Sequence, residues 1–413
     1  MISILHTADW HLGQTFFSYD RVKEHTHFLD WLKQTILKED IDVLLISGDI
    51  FDVSNPSAQA QNQFYRFIQE ITTLKNNIQI VVTAGNHDSA SRLEAPLPLV
   101  QDKNTFIKGL VPKVNSEIDY DQLIIPLYNQ QNEIEGFCLA VPFLRQGDYP
   151  KVDSENPHAA GIQELYMQLI QRVNEKRRED QSVVAMGHLQ AIGSDIAKND
   201  YSEKLIIGGL ESVSPNLFKD INYTALGHIH KAQKLAGCEH IRYSGSPLPM
   251  SFAEKYYKHG VVKVVLDKGK TVSIDKIEYS PLVKLISIPD KGAALPQDVL
   301  DSLSNLPIAR DGDDTSLYPY LEVRVLLEEP EPMLVQKISV ALEDKAVRLT
   351  RIPNEYRTKN VITQEYDSLD GLQSLEPIDL AKKVFLDTYK VDMSDSLLEL
   401  FQEVYYKIEE EEK

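Results

Sequence analysis

The chain has 413 residues, 42% of them hydrophobic and 25% charged, which is the balance of a globular protein with two or three domains. No stretch approaches the roughly 20 apolar residues that a membrane span requires, and the N-terminus lacks the basic and long apolar regions of a signal peptide, so no membrane association and a cytoplasmic location are expected. The net charge of −19 argues against nucleic acid as the partner of the chain as a whole.

This net charge is a weak guide to any single surface, because many acidic residues lie in the C-terminal tail. From Val391 onward, eight acidic side chains accompany only Lys407 and Lys413. Carboxylates that bind metal are also neutralised once the metal is bound. A nucleic-acid partner therefore stays open.

Two cysteines, Cys138 and Cys238, lie a hundred residues apart and match no metal-binding or redox spacing. We expect both to be buried free thiols in a reducing compartment.

The first 280 residues alternate between apolar runs and helical patterns. Five of the runs are "ISILHTAD", "IDVLLISGD", "IQIVVTAGNHD", "SVVAMGH" and "NYTALGHIH". A helix is predicted over 57–74, with Phe64, Phe67, Ile68 and Ile71 on one face. Such alternation predicts a layered α/β domain over 1–280.

After Pro281 the pattern changes to a smaller unit. The segments "LVKLISI", "LPQDVLDSLSNL", "YLEVRVLL", "PMLVQKISVALED" and "VRLTRI" predict strand, helix, strand, helix and strand over 281–353, with no chemical site. Residues 354–376 are polar and predict a linker. Two short helices are predicted over 377–413, and the second carries an apolar stripe formed by Leu397, Leu398, Phe401, Val404, Tyr405 and Ile408. The stripe packs either on the chain itself or on another chain.

Five predicted strands end in residues of the kind that bind metals. These residues are Asp9, His11, Asp49, Asn86, His87, His188, His228 and His230. The carboxyl ends of strands in α/β sheets collect functional groups at one edge. Glycines at 48, 85, 187 and 227 directly precede ligands and predict close backbone approach. Each motif alone is more often structural, but five of the 11 histidines share this setting.

The predicted ligands are carboxylate, imidazole and amide groups without any thiolate, which suits manganese, iron or zinc. Seven ligands exceed the number that one ion takes, so two ions sharing one carboxylate are expected. A centre of this kind activates water for displacement at phosphorus without a serine or cysteine nucleophile.

The order of these motifs resembles the calcineurin-like metallophosphoesterase superfamily, with D-x-H, G-D-x-x-D, G-N-H-D, G-H and G-H-x-H all present. The stretches "ILHTADWHLGQTF", "GDIFD", "AGNHDS", "ALGHIHKAQ" and "RYSGSPLPMSF" are most similar to the SbcD family of bacterial nucleases. The resemblance implies a two-sheet β-sandwich flanked by helices, a small α/β capping domain and C-terminal helices. It also implies that residues 377–413 bind the coiled coil of the ATPase SbcC.

The same resemblance implies a role for each site residue. Two divalent ions, expected to be Mn²⁺, are bound with Asp49 as the bridge. The remaining ligands are Asp9, His11 and His230 for one ion, and Asn86, His188 and His228 for the other. His87 is implied as the catalytic histidine, and Asp88 as the acceptor that orients its ring. Asp52 is open between a structural and a catalytic role.

The implied activity is hydrolysis of DNA phosphodiester bonds: exonuclease action at duplex ends, and endonuclease action on single strands and hairpins. SbcC is the implied partner, in a heterotetramer of two nuclease and two ATPase subunits that serves DNA repair, recombination and replication. A homodimer through the nuclease domain is implied as well, and the apolar face at Phe64, Phe67, Ile68 and Ile71 either forms it or packs in the core. The alternatives are a phosphatase or cyclic-nucleotide phosphodiesterase with the same ions, and a scaffold without metals.

Overall fold

The alternation of strands and helices predicted from the sequence is present in the structure. A computed structural model describes residues 1–100, 104–195, 213–356, 377–389, 392–394, 397–398 and 401. The chain divides into two units, Met1–Val283 and Lys284–Lys413. Each unit has its own hydrophobic core.

The first unit contains two mixed six-stranded sheets. Its strands in chain order are β1 (Ile2–Thr7), β2 (Thr15–Phe16), β3 (Tyr19–Asp20), β4 (Val43–Ser47), β5 (Gln79–Thr83), β6 (Thr105–Lys108), β7 (Lys113–Val114), β8 (Glu117–Ile118), β9 (Ile124–Tyr128), β10 (Ile134–Ala140), β11 (Ser182–His188), β12 (Tyr223–Gly227), β13 (Gln233–Leu235), β14 (Cys238–Tyr243), β15 (Gly260–Asp267) and β16 (Lys270–Glu278). Sheet 1 has the order β16-β15-β1-β4-β5-β6, and sheet 2 has the order β13-β14-β12-β11-β10-β9. Two small hairpins, β2 with β3 and β7 with β8, lie outside both sheets.

The two sheets pack face to face through an apolar layer. Ile4, Val43 and Val81 from sheet 1 belong to one buried cluster with Cys138 and Val184 from sheet 2. Their strands are apolar on both faces, as expected for parallel strands covered on two sides. The fold is therefore the predicted two-sheet sandwich.

Helices cover the outer face of each sheet. In chain order they are α1 (Val22–Lys38), α2 (Ala58–Leu74), α3 (Ala90–Glu94), α4 (Leu97–Val100) and α5 (Pro157–Lys176). Single 3₁₀ turns occur at Tyr120–Leu123, Pro215–Phe218 and Phe252–Glu254. Leu165, Tyr166 and Leu169 of α5 are fully buried in the cluster that covers sheet 2.

The apolar face of α2 is used for core packing. Phe64, Phe67, Ile68 and Ile71 are at most 2% exposed and pack on the outer side of sheet 1. Trp10 contacts the rings of Phe64 and Phe67 edge to face. Of the two roles left open by the sequence, this face has the core role and is not accessible to a second chain.

The second unit is a small α/β assembly. Its strands are β17 (Leu285–Ile288), β18 (Tyr320–Val323), β19 (Val325–Leu327), β20 (Arg348–Arg351) and β21 (Asn354–Tyr356), and its helices are α6 (Pro296–Ser304), α7 (Leu334–Ala341) and α8 (Pro377–Tyr389), with a 3₁₀ turn at Thr315–Leu317. β17, β18 and β20 form a parallel sheet, and β19 pairs with β21. The predicted linker, 354–376, therefore begins with a strand: β21 forms there because its backbone pairs with β19.

Little of the predicted C-terminal stripe can be described. Leu397, Leu398 and Phe401 lie in short described pieces, whereas Val404, Tyr405 and Ile408 lie outside the described residues. Both cysteines are free thiols, as predicted, but only Cys138 is buried. Cys238, the first residue of β14, is partly exposed, contrary to the expectation. Within the described part of the chain, no helix combines the length and the apolar character that crossing a membrane requires.

Candidate metal centre

Parallel strands of both sheets end at the edge where the predicted ligands lie. β1, β4 and β5 run parallel in sheet 1, and β11 and β12 run parallel in sheet 2. At the ends of these strands lie Asp9 and His11, Asp49, Asn86 and His87, His188, and His228 and His230. His188 is directly opposite Gly227 in the register of β11 and β12. Ligands about 220 residues apart in the sequence therefore meet in space.

Four of the predicted ligands have an unusual backbone conformation. Asp9, His11, Asp49 and His228 have positive φ angles of 55°, 47°, 48° and 99°. Residues other than glycine rarely adopt this left-handed region, and such conformations concentrate at functional sites. The strain is consistent with side chains that are held towards a site at a local energetic cost.

Two of the glycines that precede ligands are required by close packing. A Cβ atom at Gly227 would lie 1.9 Å from the carbonyl oxygen of Ser47, and one at Gly85 would lie 2.1 Å from Oδ1 of Asp49. Both distances are far below contact distance, so no side chain fits at either position. The predicted close approach of the backbone is confirmed at these strand ends.

Asp9, His11 and His230 form the first ligand group. Their ligand atoms lie within 4.8 Å of one another, and all three residues are at most 4% exposed. Oδ1 of Asp9 accepts a hydrogen bond of 2.9 Å from the backbone N–H of His228. Oδ2 of Asp9 and Nε2 of His11 have no hydrogen-bond partner among the described residues. Buried polar atoms without partners are costly, and a bound cation would satisfy them.

The second group gathers around Asn86. Its Oδ1 lies 2.9 Å from Nε2 of His188 and 3.0 Å from Nδ1 of His228. Nδ1 of His188 donates to the carbonyl oxygen of Ser47 at 2.9 Å, so Nε2 of a neutral ring is a bare acceptor facing a second acceptor. With Oδ1 of Asn86 on this side, a proton or a cation between the two atoms makes the contact favourable.

Asp49 lies between the two groups. Its Oδ2 is 3.2 Å from Nε2 of His188 and 3.7 Å from Nε2 of His11. Its Oδ1 accepts from the backbone N–H of His87 at 2.9 Å. A carboxylate shared by two ions would lie between two such groups, and both this role of Asp49 and the assignment of each ligand to an ion stay predictions.

The charges in the cluster influence one another strongly. Burial favours the neutral form of Asp49, but the His188 and His11 rings outweigh burial and hold the pKa of Asp49 far below its usual range. Burial opposes a charged His188, yet Asp49 and Asp9 raise its pKa to about 9. Burial and the neighbouring His188 lower the pKa of His228 to about 3. Asp49 is therefore anionic and His228 neutral at neutral pH, both in the form that binds cations.

His87 lies beside the cluster with a defined ring orientation. Its Nδ1 is 2.7 Å from the backbone carbonyl oxygen of Asp52, and its ring centroid is 4.9 Å from that of His11. Since a carbonyl only accepts hydrogen bonds, Nδ1 carries a hydrogen, and in the neutral ring Nε2 is the nitrogen without one.

Asp88 does not orient the ring of His87, contrary to the expectation from the sequence. Its carboxylate accepts from three backbone N–H groups, those of Gly85 at 2.8 Å, Phe51 at 3.0 Å and Ile50 at 3.1 Å. These bonds use both oxygens and connect the loop after β4 to the loop after β5. Burial, together with Asp49, raises the pKa of Asp88 to about 6. Asp88 therefore holds two ligand-bearing loops together, and the Asp52 carbonyl orients His87.

Asp52, whose role the sequence left open, lies at the rim of the cluster. Its Oδ1 is 3.2 Å from Nδ1 of His11, and its side chain is 29% exposed. His11, Asp52 and His87 form a third group of ligand atoms within 4.8 Å of one another. The side chain of Asp52 thus lies against His11, and its backbone contacts His87.

Glu254 is a residue of the site that the sequence did not indicate. It is fully buried, and its Oε1 lies 2.9 Å from Nδ1 of His230. Its Oε2 accepts from the backbone N–H of Met250 at 2.9 Å. Glu254 is 24 residues from His230 in the chain, outside every ligand motif, so no spacing signal could have identified it.

Comparison with known proteins identifies two family matches. A calcineurin-like phosphoesterase profile matches residues 2–232, a range that contains all seven predicted ligands. A profile described as Type 5 capsule protein repressor C-terminal domain matches residues 281–389.

Three curated relatives are named as the SbcD subunit of the nuclease SbcCD. The protein from Rhodobacter capsulatus is 33% identical over 353 residues, which cover 84% of this chain and 85% of the relative. The one from Escherichia coli is 31% identical over 386 residues, covering 89% and 90%. The one from Bacillus subtilis is 30% identical over 295 residues, covering 68% and 71%.

Proposed function

This chain belongs to the calcineurin-like phosphoesterase family and, within it, to the SbcD subunits of SbcCD nucleases, and on that basis we propose that it is a metal-dependent nuclease that hydrolyses phosphodiester bonds in DNA. The observation that carries the proposal is the pair of ligand groups on either side of Asp49. Seven side chains predicted as ligands, with carboxylate, imidazole and amide groups, converge there from both sheets. A phosphatase or cyclic-nucleotide phosphodiesterase with the same ions is the alternative.

We propose manganese as the metal. The ligand atoms fit divalent cations of this type, because none is a thiolate, and Oδ2 of Asp9 and Nε2 of His11 are buried without a hydrogen-bond partner among the described residues. Asp9, His11 and His230 would hold one ion and Asn86, His188 and His228 the other, with Asp49 between them. When bound, such a pair polarises the scissile phosphate and lowers the pKa of the attacking water.

His87 is the proposed general acid. The Asp52 carbonyl at Nδ1 leaves Nε2 to deliver a proton to the departing oxygen of the DNA strand. Its backbone N–H to Asp49 fixes the distance between His87 and the ligand groups. Asp88 supports Asp49 and His87, because its hydrogen bonds to Phe51 and Gly85 connect the two loops that carry them.

The proposed substrates are duplex DNA ends, single strands and hairpins, cut together with the ATPase SbcC. The names of the relatives refer to an SbcCD complex. Two nuclease and two ATPase subunits are proposed for the assembly, with a homodimer of the nuclease domain. The net charge of −19 fits a complex in which the partner supplies much of the DNA-binding surface. A cytoplasmic location is proposed, and the free thiols of Cys138 and Cys238 agree with it.

The test of the activity is cleavage of a hairpin-ended duplex by the purified chain, with and without the ATPase, in EDTA and then with added Mn²⁺ or Mg²⁺. We expect cleavage only with a divalent ion, and more with Mn²⁺ than with Mg²⁺. Asp49→Asn should abolish it, because both ligand groups lose their shared charge. Good turnover of a small phosphoester without any cleavage of DNA in either preparation would support the phosphatase alternative.

The partner is tested by deleting residues after 376. We expect the truncated chain to lose co-purification with the coiled-coil ATPase, because the proposed binding helices are removed. The control is Mn²⁺-dependent cleavage of single-stranded DNA by the truncated chain alone, which should persist. Co-purification that survives the deletion would rule out the docking role of residues 377–413.

A further inference from the structure

One histidine of the first ligand group has a buried carboxylate on its far side. Nδ1 of His230 lies 2.9 Å from Oε1 of Glu254, and both side chains are at most 4% exposed. A carboxylate only accepts in its ionised form, so the ring hydrogen lies on Nδ1. Nε2 is then the nitrogen that His230 offers to the group it forms with Asp9 and His11.

Glu254 contacts the backbone of Met250, and Arg21 contacts the residue before it. Oε2 of Glu254 accepts from the N–H of Met250, and the preceding carbonyl, that of Pro249, accepts from Nη1 of Arg21 at 2.8 Å. Arg21 is 1% exposed, and its guanidinium also binds the carboxylate of Glu24. A buried network therefore connects the start of α1 to the ring of His230.

The two proposed metal sites differ in the group that accepts a hydrogen bond from a histidine Nδ1. On the other side of Asp49, Nδ1 of His188 donates to the neutral carbonyl of Ser47. A carboxylate partner makes imidazole a stronger ligand than a neutral partner does, and it adds negative charge near the ion. Glu254 thus distinguishes the first site from the second.

Resting on the proposed function, we propose that Glu254 is a positioning residue of the metal centre. It keeps the proton of His230 on Nδ1, presents Nε2 to the cation and strengthens the site of Asp9, His11 and His230 selectively. Arg21 supports it by fixing the segment that contains Pro249 and Met250.

Glu254→Gln tests this role, because an amide cannot accept from both the His230 ring and the Met250 N–H. If the amide NH₂ faces Met250, two donors oppose each other. If it faces His230, it forces the ring hydrogen onto Nε2, where the hydrogen blocks binding of the cation. Mn²⁺ is titrated into the full-length chain without DNA, and bound ions are counted by electron paramagnetic resonance. We expect one of two Mn²⁺ ions to bind about tenfold or more weakly and the other to bind as in the wild type.

A double-mutant cycle separates positioning from general damage. In a His230→Gln background, Glu254→Gln should cause no further loss of Mn²⁺ affinity, whereas in a His188→Gln background it should still weaken the remaining ion. The matched control is Glu322→Gln, which removes another fully buried carboxylate, bonded to Arg324 and Arg351 in the second unit. It should leave both ions unchanged.

A measurement on the wild-type chain avoids dependence on the folding of the variants. In the metal-free protein, long-range ¹H–¹⁵N spectra should show His230 with hydrogen on Nδ1, assigned by comparison with His230→Gln. Hydrogen on Nε2, equal weakening of both ions, or two unaffected ions in Glu254→Gln would each overturn the role of Glu254. Wild-type protein that binds no pair of Mn²⁺ ions would instead overturn the proposed function.

Discussion

Binding of a cation at the second site should release one proton near neutral pH. His188 and His228 both face Asn86 there. In the metal-free chain burial opposes a charged His188, but Asp49 and Asp9 raise its pKa to about 9. The pKa of His228 is lowered to about 3, chiefly by burial. His188 therefore carries a proton that the cation has to displace, whereas His228 does not.

The raised pKa of His188 sets how strongly Mn²⁺ affinity should depend on pH. For one displaced proton with a pKa of about 9, raising the pH from about 7 to about 8.5 should strengthen Mn²⁺ binding about twentyfold, and the gain should level off above about pH 9. The stability of the metal-free chain changes in the opposite direction. Because the pKa of folded His188 exceeds its ordinary value of 6.5, its contribution is complete below that pH and is lost as the pH rises through about 9.

The assay is calorimetric titration of Mn²⁺ under argon in two buffers with different ionisation enthalpies, which yields the number of protons released per ion. The comparison variant is His188→Gln, whose remaining ion should show no such increase between the two pH values. The reasoning would be refuted if the wild-type chain released no proton and bound both ions equally well at both pH values.

Three further changes have defined outcomes. His87→Gln should keep both Mn²⁺ ions but lower the rate of DNA cleavage by about 100-fold or more, measured in single-turnover assays, and a parallel loss of bound ions would show that His87 is a ligand. Gly227→Ala places a Cβ 1.9 Å from the Ser47 carbonyl oxygen and should lower the free energy of unfolding, measured in urea, by about 3 kcal/mol. The control Gly237→Ala should lower it by about 1 kcal/mol, because there only the positive φ of 72° is unfavourable for alanine. Asp88→Ala leaves three backbone N–H groups without their acceptor and should cost about 3 kcal/mol or more in the same assay, and a loss below about 1 kcal/mol would contradict the clamp.

Much of the fold was predictable because its signals are local. Apolar runs bounded by glycine indicated the strands, and the apolar face of α2 indicated a buried side of that helix. A dimer interface on the apolar face of α2 could not be rejected from the sequence, since a core face and a dimer face have the same periodicity. The burial of Phe64 and Phe67 decided the question. β21 was missed because its three residues carry no strand pattern and depend on pairing with β19.

The site shows the same division at the level of single residues. Asp88 follows His87 directly, which suggested that its carboxylate would orient the ring. In the folded chain its oxygens instead accept from the two loops, and the backbone of Asp52 contacts the ring. Sequence proximity does not determine where a short side chain points when a partner 35 residues away is closer in space.

The residue types at the strand ends could be read from the chain alone, because strand, turn and candidate ligand follow one another within a few positions and each has a local chemical signature. How these residues combine depends on the folded chain: Asp49 lies between the two groups, Asp88 connects two loops, and Glu254 lies behind His230. Those contacts depend on sheet register and on packing between segments that are distant in the chain. Such relationships follow from the closure of the whole fold, and no local pattern encodes them.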